Sequence, residues 1–245
     1  MNIRYVIPSY NRVNLIGTHT LNFLERNNID KSKIYIFVVP EEYNLYKEKY
    51  PEYTIVEGKV GLRNQRNFIS EYFSEGEFII SLDDDIKDIM FLDEYNNFVM
   101  VNNFQEVVLK GFSDCLRLGA SLFGFYPVLN KDWMGNQDDI TTCFRFIIGS
   151  CFGYINRQLK ITVNQKDDYE ISILNYIRDK KVLRYNNYSI KTKYYKQSGG
   201  LQSFNNRLQE QQEAVNYLVN TYPEYLAIKK GRKSGFPELR VKRIA

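Results

Sequence analysis

The most informative absence in the 245-residue sequence is histidine, which occurs once, as His19. Serine and cysteine nucleophiles are commonly activated by a neighbouring histidine, so a serine-histidine or cysteine-histidine mechanism is nearly excluded. No glycine-rich loop of the P-loop type is present to cradle a phosphate. No apolar run approaches the roughly 20 residues of a membrane-spanning helix. The opening MNIRYVIPSY lacks the basic and then apolar layout of a signal peptide, so a cytosolic location is expected.

Cysteine is also scarce, and Cys115, Cys143 and Cys151 have no spacing typical of a metal site. We interpret them as small core residues of a protein in a reducing compartment. The net charge of +4 is mild, but basic residues are concentrated in the stretch IKKGRKSGFPELRVKRIA, which holds one glutamate. Such a tail fits a polyanionic partner or a solvated terminus, and the sequence leaves both open.

Strand and helix patterns alternate through the first third of the chain. Apolar runs rich in β-branched and aromatic residues predict strands at 3–8, 33–40, 53–58 and 77–85. Apolar residues at helical intervals predict helices between them, at 14–29, 41–51 and 62–73. This alternation indicates an α/β protein with a mostly parallel central sheet flanked by helices, which binds ligands at the carboxyl ends of its strands.

The alternation is less regular in the second half of the chain. Helices are predicted at 103–119 and 168–180 and again late in the chain at 205–226, with strands at 121–128 and 143–156. The Gly-, Ser- and Asn-rich stretch at 194–206 is a candidate mobile loop. Because no repeat, low-complexity tract or long linker interrupts the chain, we expect one domain over residues 1–245.

The apolar run FIISL at 78–82 ends in three consecutive aspartates, Asp83, Asp84 and Asp85. Adjacent carboxylates repel each other at the edge of a core unless a cation, hydrogen bonds or water stabilise them. Carboxylate oxygens one residue apart on a turn suit Mg²⁺ or Mn²⁺, which in turn bind diphosphates. The triplet therefore predicts a metal site, although an acidic turn after a strand is often merely solvated.

In this setting the sequence resembles the GT-A nucleotide-sugar glycosyltransferases. Four motifs carry the resemblance, in order YVIPSYNR at 5–12, GLRNQRN at 61–67, SLDDD at 81–85 and KDDYEIS at 166–172. The resemblance implies a GT-A-like fold and a transfer, with inversion, of a sugar from a nucleotide-sugar donor to an acceptor hydroxyl, with Mn²⁺ or Mg²⁺ as cofactor. It also divides the domain into a nucleotide-sugar-binding half, residues 1–90, and an acceptor-binding half, residues 91–245, which includes a smaller acceptor-side subregion and the basic tail.

The matching positions imply roles for single residues. The acidic pair Asp167 and Asp168 matches the pair that supplies the catalytic base, and we favour Asp168, although the family commonly has Glu at the first position. Asp85 is implied to be the direct metal ligand, together with Asp83. The residues implied or expected to bind the donor are Pro8, Ser9, Tyr10, Asn11, Arg12, Arg63, Arg66, Asn67, Asp83, Asp84 and Lys193. Helix capping and solvated helix faces are the ordinary structural alternatives for these motifs.

Acceptor recognition is expected from Trp133, which could stack on a sugar or base, and from Gly149 and Ser150. The chain also looks similar to small glycosyltransferases of phages and large DNA viruses, some thought to modify hydroxymethylated pyrimidines in DNA. A DNA acceptor is therefore expected, with a cell-surface, capsid or lipid-linked glycan as the close alternative. Two other classes stay open: a sugar nucleotidyltransferase, and a non-catalytic module that binds nucleic acid or a partner.

Overall fold

A computed structural model describes residues 1–192, 207–229 and 235–244, so the predicted loop at 194–206 lies outside the described residues. Its strands are β1 (Ile3–Pro8), β2 (Ile34–Val38), β3 (Thr54–Glu57), β4 (Phe78–Leu82), β5 (Asp88–Leu92), β6 (Phe98–Met100), β7 (Leu122–Tyr126), β8 (Ile140–Thr141), β9 (Cys151–Ile155), β10 (Leu183–Lys191), β11 (Leu226–Lys229) and β12 (Glu238–Val241).

The helices are α1 (Val13–Ile16), α2 (Asn22–Arg26), α3 (Tyr43–Lys49), α4 (Leu62–Tyr72), α5 (Phe104–Leu118), α6 (Lys131–Gly135), α7 (Asp167–Asp179) and α8 (Arg207–Thr221). A π-helical segment, Gly17–Leu21, joins α1 to α2, so the first helix is continuous. Among the described residues, no helix is both long and apolar enough to cross a membrane.

One ten-stranded sheet has the order β3-β2-β1-β4-β9-β7-β10-β5-β6, with β8 beside β10. In the first half of the chain β1 lies between β2 and β4, and all its pairings are parallel. Strands β5, β8 and β9 run against the rest, which leaves seven of the ten strands in one direction. The predicted mostly parallel α/β sheet is therefore confirmed, and the single sheet contains strands from both predicted halves.

Helices cover both faces of this sheet. Ile3, Tyr5 and Ile7 of β1 pack into the large apolar cluster that also contains residues of α2, α3 and α5. Val6, which points to the opposite face, packs against Ile69 of α4. Because both faces are buried, β1 is apolar at nearly every position instead of alternating with polar residues.

The carboxyl ends of β1 and β4 lie next to each other, since Val6 pairs with Ser81 in a parallel ladder. Ser9 follows the end of β1 and Asp83 follows the end of β4. The first and third motifs of the sequence are therefore adjacent at one edge of the sheet, as the parallel arrangement requires.

Two sequence predictions are wrong. The strand predicted at 143–156 forms only over Cys151–Ile155. Before it, Phe144 and Ile147 pack into two separate apolar clusters, and the Ile147 N–H donates to Ser172 Oγ instead of to a strand. Cys143 in this segment is exposed and is not a core residue, whereas the other two cysteines are buried as predicted.

The C-terminal region forms a smaller layer of its own. Strands β11 and β12 pair as an antiparallel two-stranded sheet. Leu226 and Leu239 of that sheet pack with Val215 and Leu218 of α8. Part of the basic tail is thus folded against a helix, which distinguishes it from a wholly solvated terminus.

Candidate functional site

The acidic turn that follows β4 is held by backbone hydrogen bonds. The Asp83 N–H donates to Ser150 O at 2.8 Å. Thr20 Oγ1 donates to Asp83 O at 2.7 Å and accepts from the Ile86 N–H at 3.0 Å. One buried threonine of the π-helical segment therefore fixes both ends of the turn and sets the direction of each carboxylate.

Asp84 is turned into the protein. Its Oδ1 lies 2.6 Å from Arg12 Nη1, and its Oδ2 accepts from Ser9 Oγ at 2.6 Å. Ser9 Oγ in turn lies 2.8 Å from the Tyr46 hydroxyl. Burial raises the pKa of Asp84, and Arg12 opposes this by favouring the charged form. Asp84 therefore ties the first motif to the third, with both of its carboxylate oxygens engaged by protein groups.

Asp83 and Asp85 lie on either side of this pair. Asp85 Oδ2 is 3.4 Å from Arg12 Nη1, and its Oδ1 accepts from Thr192 Oγ1 at 3.1 Å. The Asp83 side chain is 41% exposed, against 15% for Asp85. The surrounding protein atoms raise the pKa of Asp83 to about 8. The charge of Arg66 opposes this increase, and the neighbouring carboxylates add to it. Asp83 is thus the most accessible carboxylate of the acidic turn.

Arg66 of α4 connects the acidic turn with the acidic pair of the last motif. Its guanidinium donates to Ser81 Oγ and, at 3.4 Å, to Gly149 O. Its Nη2 is 3.7 Å from Asp83 Oδ1, and its Nε is 3.3 Å from Asp167 Oδ2. These last two atoms face each other without an aligned hydrogen bond to any described group. Arg66 is thus the positive centre of an otherwise acidic cluster of side chains.

Asp167 and Asp168 begin helix α7 after Lys166, whose backbone is left-handed with φ 61°. Asp168 Oδ1 accepts from the Tyr169 N–H at 3.0 Å, and its Oδ2 faces the Gly149 N–H at 3.4 Å. Burial, and then the neighbouring Asp167, raise the pKa of Asp168 to about 7. A carboxylate whose pKa lies near neutrality can take up a proton at the pH of a cell.

Gly149 and Ser150 connect the two acidic elements. A Cβ on Gly149 would lie 3.2 Å from Asp168 Cβ, which is closer than normal packing allows. Ser150 is buried, and its Oγ has no hydrogen-bond partner among the described residues. The structure therefore brings both predicted acceptor residues to Asp168 and the acidic turn.

The other predicted site residues occupy more peripheral positions. Asn67 makes two hydrogen bonds of 2.9 Å with the Ile161 backbone, and Arg63 Nη1 donates to Thr162 O at 3.3 Å. Trp133, on α6, is 58% exposed. Lys193, with Lys196, lies outside the described residues.

The turn after Pro8 is shaped by backbone conformation. Asn11 has φ 55°, a left-handed conformation that Asn tolerates better than most residues. Its N–H donates to both carboxylate oxygens of Glu42, at 2.9 and 3.1 Å. Tyr10 lies between Ser9 and Asn11 in this turn and is half-buried. Tyr10 and Asn11 are therefore at least partly accessible to solvent, next to Ser9, which binds Asp84.

Three contact residues were missed by the sequence interpretation: Thr20, Ser81 and Thr192. Ser81 carried a signal, since it is the only polar residue in the run FIISL. Thr20 and Thr192 carried none, because their partners Asp83 and Asp85 are distant in sequence. Long-range partners of this kind are set by the packing of whole elements.

Comparison with known proteins gives one family match. The model of the family described as TET-Associated Glycosyltransferase matches residues 3–200. Among solved structures, the crystal structure of 4-diphosphocytidyl-2C-methyl-D-erythritol synthase from Anaerococcus prevotii is similar, with 13% identity and a TM-score of 0.45 over 78% of this chain and 91% of that chain. No curated protein matches the sequence.

Proposed function

The chain belongs to the TET-associated glycosyltransferase family and is a glycosyltransferase, and on this premise we propose that it transfers a sugar from a nucleotide-sugar donor to the hydroxyl of a hydroxymethylated pyrimidine in DNA, with inversion. The observation that carries the proposal is that Asp83, Arg66 and Asp168 meet at one edge of the sheet. The family description names a TET association, and a hydroxymethylated pyrimidine is the acceptor to which this association points.

Asp168 acts as the general base in this proposal. As the acceptor oxygen forms its bond to the anomeric carbon, Asp168 takes the hydroxyl proton and the bond from that carbon to the diphosphate oxygen breaks. The electron pair of the broken bond leaves with the diphosphate. Support comes from the raised pKa of Asp168, about 7, and from the Gly149 N–H, which holds one carboxylate oxygen in place.

Arg66 and Asp167 serve this base in different ways. Arg66 lies between Asp83 and Asp167, where its charge attracts a diphosphate and offsets the two carboxylates. Asp167 keeps the proton affinity of Asp168 high by repulsion, since two adjacent carboxylates disfavour double ionisation.

A divalent cation, Mn²⁺ or Mg²⁺, would be held by Asp83 and Asp85, and when bound it would neutralise the charge of the leaving diphosphate. Carboxylate oxygens fit a hard cation, and the contacts of Asp85, at 3.1 Å from Thr192 and 3.4 Å from Arg12, are longer than the two 2.6 Å contacts that Asp84 makes with Ser9 and Arg12. No group of three or more metal-binding side chains occurs among residues 1–192, 207–229 and 235–244. The donor phosphates and water would therefore complete the coordination.

The test is release of nucleoside diphosphate from a panel of nucleotide sugars, with hydroxymethylated and unmodified oligonucleotides as acceptors. We expect release only with the hydroxymethylated oligonucleotide, and loss of turnover but not of donor binding in Asp168→Asn. Activity that is retained in Asp168→Asn would contradict the choice of base. Transfer only to glycans would contradict the acceptor, and pyrophosphate release from a nucleoside triphosphate would contradict the reaction.

Metal binding is tested by the thermal shift that a nucleoside diphosphate produces with and without Mn²⁺. We expect Asp85→Asn to lose the additional shift that Mn²⁺ gives, because it removes one of only two carboxylate ligands. Asp88→Asn is the matched control, since the Asp88 side chain is 15% exposed, like that of Asp85, and pairs with Arg26 instead of facing the acidic turn. An undiminished Mn²⁺ increment in Asp85→Asn would count against this metal site.

A further inference from the structure

A second basic site lies in the half of the chain that follows the acidic turn. Arg184 of β10 is only 7% exposed. Its Nε donates to Asn186 Oδ1 at 2.7 Å, and its guanidinium carbon lies 4.9 Å from the centre of the Tyr126 ring. The terminal nitrogens Nη1 and Nη2 donate to no described group. The hydrogen bond at Nε and the Tyr126 ring fix the position of this guanidinium, while its two terminal nitrogens stay available. Such a group can bind a planar pair of oxygens.

Arg145 follows β8, whose Thr141 pairs with Arg184, and it adds a second positive charge near Arg184. Burial, and then repulsion from Arg145, lower the pKa of Arg184 to about 10. No described carboxylate forms an ion pair with either arginine. A buried charge without a counter-charge is costly, and a like charge beside it increases the cost. An anion from outside the described protein would offset both.

The strand that carries Arg184 lies apart from the strand that ends at the predicted donor site. Strand β10 lies three strands from β4 in the sheet order, a distance of roughly 14 Å at normal strand spacing. The acidic turn that would hold the donor diphosphate follows β4. Arg145 is four residues before Gly149, whose N–H faces Asp168 Oδ2 at 3.4 Å.

Both arginines lie on the same face of the sheet as α7. Arg184 pairs with Gly124 of β7, and a Cβ on Gly124 would collide with Ile147. Ile147 packs with Ile171 of α7, the helix that begins at the acidic pair. The basic site therefore lies on the face of the sheet that carries α7, the helix that begins at the predicted base.

We propose that Arg145 and Arg184 bind a backbone phosphodiester of the DNA acceptor and so position the target base at Asp168, an inference that rests on the function proposed above. The guanidinium of Arg184 supplies paired N–H donors and Arg145 supplies additional charge. Phosphate contacts of this kind fix the register of a protein on nucleic acid without reading its sequence.

The experiment measures binding of a fluorescent oligonucleotide with one 5-hydroxymethylcytosine by anisotropy, between about 50 and 200 mM salt. Each lost phosphate contact lowers the slope of log Kd against log salt by about 0.7 to 0.9. We expect such a decrease, with a severalfold weaker Kd, in Arg145→Gln and in Arg184→Gln. Arg145 is half-buried, so its variant is the safer one for folding. Lys181→Gln, an exposed change two residues before the same strand, should leave slope and Kd unchanged.

Two kinetic arms separate the possible sources of the phosphate. With free 5-hydroxymethyl-2′-deoxycytidine as acceptor, kcat/KM should be unchanged in Arg145→Gln, because the nucleoside has no phosphodiester. The KM for the nucleotide sugar should also be unchanged. An increase in that KM would assign the arginines to the donor and overturn the inference.

Failure of this inference differs from failure of the proposed function. If the wild-type enzyme modifies the oligonucleotide but both arginine variants keep its affinity and salt slope, the phosphodiester site is wrong and the enzyme function stands. If the wild-type enzyme modifies no hydroxymethylated oligonucleotide, the proposed acceptor is wrong, and this inference falls with it.

Discussion

The carboxyl group of Asp168 should control how the rate of transfer depends on pH. Its pKa is raised from 3.8 to about 7, first by burial and then by Asp167. A general base must be ionised, so kcat/KM should fall about tenfold for each pH unit below its pKa. Because a base with a pKa of about 7 is half ionised at pH 7, the loss between pH 7 and pH 5 is roughly fiftyfold, whereas an unperturbed aspartate, with a pKa of about 3.9, would leave the rate nearly constant over that range.

Asp167→Asn tests the cause of this shift. The variant removes the second cause of the raised pKa and keeps the first, so the acid limb of the profile should move to lower pH without reaching that of a solvated aspartate. Release of nucleoside diphosphate is measured at low acceptor and at saturating donor and metal, since kcat/KM for the acceptor then reports the ionisation of the enzyme before the acceptor binds. Glu213→Gln, an exposed change on α8, is the control for loss of one negative charge.

Two results would refute this reasoning. A wild-type profile that is flat down to pH 5 would show that no base with a pKa near 7 takes part. An acid limb in Asp167→Asn that coincides with the wild-type limb would show that repulsion between the two carboxylates does not set the pKa. The control variant must keep the wild-type limb for either result to bear on Asp168.

Three further predictions concern stability and positioning. Arg12→Met leaves Asp84 buried without its counter-charge, so chemical denaturation should show a free energy of unfolding that is about 3 to 5 kcal/mol lower. The double variant Arg12→Met, Asp84→Asn should recover much of this stability. A decrease below about 1 kcal/mol in Arg12→Met would contradict the buried pair. Gly149→Ala places a methyl group 3.2 Å from Asp168 Cβ and should lower kcat by roughly ten- to a hundredfold while donor KM is unchanged; wild-type turnover would contradict this positioning. The raised pKa of Asp168 means that stability is lost as pH rises through about 7, where this buried carboxyl group ionises. Asp168→Asn should therefore raise Tm more at pH 8 than at pH 5. Equal shifts of Tm at the two pH values would show that ionisation of Asp168 does not destabilise the fold.

The first half of the fold could be predicted from the sequence because each of its strands is a continuous apolar run. Strands β1, β2 and β4 are buried on both faces, and helices separate the first four strands along the chain. Strand β10 was missed because Arg184 and Asn186 are buried polar residues within it and break any apolar pattern. The short strands β5 and β6 were also missed. Strand β5 pairs with β10, which is distant in sequence.

Sequence alone determined which residue types gather at the edge of the sheet: three aspartates after β4, Arg66 on the preceding helix and an acidic pair at the start of α7. Strand ends and helix starts follow from local patterns, so these groups could be named without a structure. Only the tertiary structure decided their partners, because Arg12 and Asp84 are 72 residues apart and meet through the parallel pairing of β1 with β4. The same packing turns Asp84 inward, leaves Asp83 accessible and brings Gly149 to Asp168, since the partner of a charged group is set by whichever distant segments the core holds beside it.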